Sequence, residues 1–193
     1  MPSVAVTRWF SSRAAALDEV EGAHRAVGGA GPGRRFATQQ INHAYAILLS
    51  AQFQGFCRDL HTECINLLVR AMTAPPIRAT IRAEFLLNRK IDRGNPSPGN
   101  IGADYNRLGI DFWPEVGGYH ARNADRRATL EELNSWRNAI AHQDFVGVAI
   151  PSGRTGLHLA DVVAWRRVCD GLVKSFDEVM RVYLRRTMGS SPW

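Results

Sequence analysis

Residues 130–142 read LEELNSWRNAIAH, and their spacing decides how the chain is understood. At about 100° per residue, Leu130, Leu133, Trp136, Ile140 and Ala141 cover one broad side of a helix. Glu131, Ser135, Asn138 and His142 fall on a narrow polar stripe opposite. The pattern predicts a helix from about Ala128 to His142 that packs by one face. Arg137 departs from it, projecting among the apolar positions. A guanidinium is charged at every working pH and cannot stay buried unpaired. It must extend to solvent, meet a carboxylate, or line a wet cleft.

The segments on either side also read as helices. Ile41, Ala44, Tyr45, Leu48, Leu49, Phe53, Phe56, Leu60, Leu67 and Leu68 keep helical spacing from about Phe36 to Met72. A helix of that length spans a whole domain and serves as its spine. Before it, Thr7 to Val27 predicts a first helix, with Thr7 as cap and Trp9, Phe10, Ala14, Leu17 and Val20 as its apolar stripe. The glycine-rich run 28–33 separates the two. Pro75-Pro76 ends the long helix and starts a third, Ile77 to Arg89, with Ile81, Phe85 and Leu86 inward. Asp92 to Asn100 has loop composition. Within 101–125 a helical turn near Gly102 to Leu108 is expected, then an irregular segment around Phe112-Trp113-Pro114 that borders a cleft. After His142 the β-leaning run 145–150, the turn residues 151–156 and Leu157-His158-Leu159 suggest a small hairpin. A final helix is expected from about Ala160 to Met188, packing through Val163, Trp165, Cys169, Leu172, Val173, Phe176, Val179, Met180 and Tyr183, with a frayed end beyond. The expectation is one all-α domain over residues 1–193.

Composition narrows the function classes. The chain has 193 residues, 22% of them charged, a formal charge of +6 and a sequence pI near 9.8. A basic surplus favours a polyanionic partner, although arginine-rich composition alone produces the same number. No apolar run reaches membrane-span length, and the first ten residues lack a signal-peptide core. Three cysteines without framework spacing point to a reducing, cytoplasmic setting. No Walker-type or dinucleotide-binding glycine motif occurs, so no nucleotide cofactor is expected.

Arg137-Asn138 followed by His142 at the end of a helix resembles the R-x4-6-H motif of the HEPN superfamily. The surrounding texture is similar to the RiboL-PSP-HEPN and toxin-type members, and the long preceding helix resembles the one that packs behind the motif there. The resemblance implies an all-α HEPN-like bundle and a metal-independent endoribonuclease of toxin–antitoxin, phage-defence or stress-response type. It implies a homodimer whose two motif helices build one shared cleft, RNA as substrate, an antitoxin protein as a further partner, and neither metal nor cofactor. His142 would be general acid or base, Arg137 would stabilise the transition state, and Asn138 would hold the phosphate or His142. Some relatives carry a tyrosine two residues past the motif histidine, the target of nucleotidyl modification. Asp144 and then Phe145 stand here, which puts that control in doubt. The alternative is a HEPN-like module that binds RNA or protein without cutting.

Two further sets carry weaker signals. Cys57, His61 and Cys64 share a helical face, but no C-x-x-C or H-x-x-x-H frame completes a zinc site, and core packing explains them better. Arg58, Asp59 and Glu63 read as a solvated face or as carboxylate partners for Arg137. Asp144 either orients His142 or starts the next turn.

Overall fold

The computed structural model describes residues 1–28, 34–72, 74–146 and 156–193, and among these the regular structure is entirely helical, without strands. The hairpin expected at 145–159 falls mainly on residues 147–155, outside the described residues. The flanking 144–146 and 156–158 carry no strand.

The chain enters earlier than the sequence suggests. Helix α1, Val4–Arg8, is capped by Ser3, whose hydroxyl accepts from the Val6 N–H. The expected cap, Thr7, instead donates its own hydroxyl to the Ser3 carbonyl. A π-helical turn, Trp9–Arg13, joins α1 to α2, Ala14–Val27. The extra residue turns Trp9 inward: it is 2% exposed, packs edge-on to Phe53 and Phe56, and donates its indole N–H to Asp170 at 2.8 Å.

The spine is α3, Arg34–Met72, 39 residues and about 58 Å long at the α-helical rise. It carries buried residues around most of its circumference because other elements cover it. Tyr45, Leu49, Phe53, Phe56 and Leu60 are fully buried as their spacing predicts, whereas Ala44 faces out. A 3-10 turn at Pro75–Ile77 leads into α4, Arg78–Leu86, shorter than the expected third helix because Asn88 takes positive φ. The loop expected over 92–100 contains structure: α5, Lys90–Arg93, and the start of α6, Pro98–Asn106, capped by Ser97.

The segment expected to be irregular forms α7, Phe112–Tyr119. Pro114 is tolerated there because first-turn amides have no intrahelical acceptor to lose. Aromatic packing stabilises the helix: Phe112 lies 4.3 Å from Tyr105 and 4.8 Å from Phe176, and Trp113 lies 5.6 Å from Phe176. Trp113 also donates to the Pro98 carbonyl at 2.7 Å, an approach that only glycine at 102 allows, since a Cβ there would sit 2.8 Å from the indole. The motif helix is α8, Asn123–His142, and the closing helix is α9, Leu159–Met188. Helices α3, α8 and α9 share a single apolar core, with Leu130, Leu133, Trp136 and Ile140 buried against it as the motif helix's phase requires. Ala141 is the exception and is exposed.

Candidate functional site

Helix α8 stays regular to its last residue and then stops abruptly. Gln143 adopts the left-handed conformation at φ 54°. Its N–H donates to the Ile140 carbonyl at 3.4 Å and the Asp144 N–H to the Ala139 carbonyl at 3.0 Å. This is a Schellman closure, here built on glutamine instead of glycine. The Gln143 side chain adds a 2.7 Å donation to Ile140 O, which ties the cap to the helix end. Asp144 accepts from the Val146 N–H at 3.1 Å, so it starts the next turn and does not orient His142.

His142 is therefore an exposed side chain at a rigid helix end, with no hydrogen-bond partner among the described residues. Arg137 is half-buried. It donates to the Asn138 side-chain oxygen at 3.1 Å, and no carboxylate among the described residues pairs with it. Asp59 and Glu63 are committed elsewhere: Asp59 to Arg8 and Arg13 at 2.7 and 2.9 Å, Glu63 to the Val4 and Ala5 amides at 3.1 and 3.2 Å. Arg137 thus keeps its full charge beside a neutral amide.

Asn95 is the residue that sequence reading missed. Its side-chain N–H donates to the same Asn138 oxygen at 3.2 Å. One turn back, Asn134 donates to the Pro96 carbonyl at 3.0 Å. The 94–97 loop is thereby fixed along the motif helix and clamps the group that holds Arg137. The only sequence signal is an Asn-Pro pair in a loop, and its partner is set by tertiary packing.

Beyond the cap, Phe145 stacks on His43 of α3 at 5.7 Å and approaches Trp136 at 6.2 Å. Burial pushes the His43 pKa below its ordinary value. Phe145, Val146 and Ile47 are 41%, 91% and 37% exposed at this end of the molecule. Among the described residues, six buried side-chain polar atoms lack a hydrogen-bond partner, and three of them belong to α8: Glu132 Oε1, Asn134 Oδ1 and Trp136 Nε1. Unsatisfied buried groups cost stability and tend to gather where selection acts on something besides stability.

The Cys57–His61–Cys64 stripe faces the core. All three residues are fully buried, and burial pushes both thiols well up. His61 lies 3.1 Å from the Asp104 carbonyl and Tyr105 packs edge-on to its ring, so the stripe is a packing feature.

No helix among the described residues is long and apolar enough to cross a membrane. Comparisons with family models, with curated proteins and with solved structures find no match.

Proposed function

We propose that the chain is a metal-independent endoribonuclease of HEPN type that acts as a homodimer. The observation that carries this is Arg137, a half-buried guanidinium held by a neutral amide with no carboxylate partner among the described residues, on the same short motif as an exposed His142. A guanidinium without an acidic partner is open to an incoming phosphate.

The chemistry needs only protein groups and the RNA itself. A ribose 2′-hydroxyl attacks the adjacent phosphorus, and its proton passes to one His142. The P–O5′ bond breaks, and the leaving 5′-oxygen takes a proton from the partner's His142. The products are a 2′,3′-cyclic phosphate and a 5′-hydroxyl. Arg137 offsets the charge that develops on the non-bridging oxygens. Asn138 holds Arg137 and reaches the same phosphate. Exposed Ile47, Phe145 and Val146 beside the motif suit an interface between two copies. A toxin, phage-defence or stress-response setting and an antitoxin partner fit the motif's texture.

The alternative, a module that binds without cutting, draws on the angle between the two side chains. Arg137 and His142 diverge by about 140° on a regular helix, so a monomer would bind RNA without assembling the site. Incubation of the purified chain with total RNA in EDTA, beside His142→Ala, decides between them. Cleavage by the parent alone is expected. Cleavage that vanishes with EDTA and returns with magnesium overturns the mechanism.

A further inference from the structure

Asn42, near the start of α3, is 4% exposed. Its amide N–H donates to the Leu157 carbonyl at 2.9 Å, which fixes the orientation of the group. The amide oxygen is then the free end, and it has no hydrogen-bond partner among the described residues. A buried acceptor left bare costs stability. Asn42 lines a cleft of about 570 Å³ between α2, α3 and the start of α9.

The same cleft is lined by Leu159 and Ala160, the first two residues of α9. Amides at these positions have no intrahelical acceptor. The capping box satisfies the amides on either side of them. The His158 N–H donates to the Asp161 carboxylate at 2.9 Å, and the Asp161 N–H donates to the His158 side chain. Leu159 and Ala160 remain as backbone donors, with no acceptor among the described residues. An anion would suit these two amides but repel the Asn42 oxygen, and a cation would do the reverse. An N–H flanked by carbonyl groups suits both. Two imidazole rings add to the lining, His24 from α2 and His158. Rings of this kind are surfaces on which an unpaired base stacks. The cleft also adjoins the motif: the residue after Asn42, His43, stacks on Phe145 just past His142.

Resting on the ribonuclease reading, we propose that this cleft is a base pocket for the RNA substrate, selective for uracil. The ring N–H between the two uracil carbonyls donates to Asn42 Oδ1. The Leu159 and Ala160 amides donate to the carbonyl oxygens, and the two imidazoles provide the stacking surface. Cytosine has a bare ring nitrogen where uracil has that N–H, so it sets one acceptor against another. The pocket thereby selects the nucleotide held beside the motif, while Arg137 and His142 act on the backbone.

The test compares two single strands of equal length and charge. His142→Ala protein is titrated with labelled oligouridylate and with oligocytidylate at one salt concentration. Oligouridylate should bind about tenfold more tightly. Two variants remove the preference by different routes. Asn42→Ala deletes the acceptor together with the tie to Leu157, so its fold is checked by circular dichroism. Ala160→Tyr fills the cleft from an exposed position, should melt with the parent, and decides alone if Asn42→Ala unfolds. Both should bind the two strands equally. Equal affinity of the His142→Ala protein for the two strands overturns the pocket. So does a uracil preference that survives in Ala160→Tyr, and so does failure to bind either strand. Uridine monophosphate, added as competitor, should displace oligouridylate only at millimolar concentration; displacement at micromolar concentration would assign the cleft to a free nucleotide and overturn the RNA assignment. The two proposals fail separately. A parent chain that prefers oligouridylate but never cuts defeats the ribonuclease and leaves the pocket. A parent that binds and cuts both strands alike defeats the pocket alone.

Discussion

Acid should weaken this fold through His61, and the size of the effect follows from its surroundings. The ring is fully buried between α3 and α6. Its Nε2–H donates to the Asp104 carbonyl at 3.1 Å, which leaves Nδ1 as the acceptor facing the Arg89 guanidinium at 3.5 Å. Burial lowers its pKa to about 4, the Asp104 carbonyl opposes that shift, and the charge of Arg89 adds to it. In the unfolded chain the same ring titrates near 6.5. Between those values the unfolded state binds more protons. Stability is therefore fully present above about pH 6.5, falls as pH drops, and stops falling below about pH 4. From pH 7 to pH 5 the loss works out at about 2 kcal/mol. For a urea m-value of about 2 kcal/mol/M this is roughly 1 M in midpoint. The perturbation is His61→Gln, which can still donate to Asp104 but does not titrate. Urea unfolding of both chains at the two pH values gives the comparison. The drop in the parent should exceed that in the variant by about 2 kcal/mol, whatever the variant costs at pH 7. His43, also lowered by burial, works in the same direction as His61, while Asp177 and Glu132, raised by burial, work against it. All three are shared by the two chains and cancel in the difference. Equal pH dependence in both would refute the assignment of a neutral, buried His61.

Three further outcomes test the site. Arg137→Lys should lose on the order of a hundredfold in kcat, because an ammonium cannot grip two phosphate oxygens as a planar guanidinium does; near-parent turnover would make Arg137 structural. Asn95→Ala removes one hydrogen bond to the amide that holds Arg137 and should lower kcat by about threefold to tenfold with little change in KM; a change in KM alone would mean the 94–97 loop only contacts RNA. Arg137→Ala and His142→Ala, each inactive alone, should recover a small part of the cleavage when mixed under subunit exchange, since a heterodimer retains one arginine and one histidine on opposite chains and water takes the proton-transfer role of the missing histidine. Verified exchange without activity would rule out the composite site in that form.

The helical phase of the motif segment and of α3 was legible because both have a long apolar face, and periodicity reports burial directly. Their ends were less so. The first helix is capped at Ser3, whose amide also donates to Asp177, a contact 174 residues away that no local pattern contains. Helix α7 was hidden by Pro114, Gly117 and Gly118, all weak helix formers, and exists because Phe112 and Trp113 find Phe176 and Tyr105. At the site, Arg137, Asn138 and His142 stand out as odd residues on a regular helix, but Asn95 does not. The polar stripe of α3 was visible in part: later residues cover it, with Arg82 on Asn66, Arg89 on Thr62 and Arg58 on the Ile91 carbonyl. Arg58 suggested a solvated face, yet the four-residue recurrence of polar side chains from Gln54 to Arg70 is the mark of a stripe that another segment covers.

The two motif residues differ in how they are held, and the difference bears on how the site would work. Arg137 is fixed through Asn138 by Asn95, whose loop is anchored in turn by Gln54 on α3. His142 is fixed only by the helix, and the Schellman closure at Gln143 keeps that helix from unwinding to swing the imidazole toward Arg137. The five-residue step from one to the other adds about 7.5 Å of rise to the 140° divergence. In the proposed mechanism a rigid arginine meeting a flexible histidine could be completed within one chain. A rigid arginine beside a rigidly misdirected histidine needs a second copy, and the apolar side chains exposed at Ile47, Phe145 and Val146 lie where that copy would have to dock. A substitution that frees the helix end, such as Gln143→Pro, should therefore not improve the site within one chain. It removes the N–H that closes the helix, releases Phe145 from His43, and loosens the surface on which the shared cleft depends.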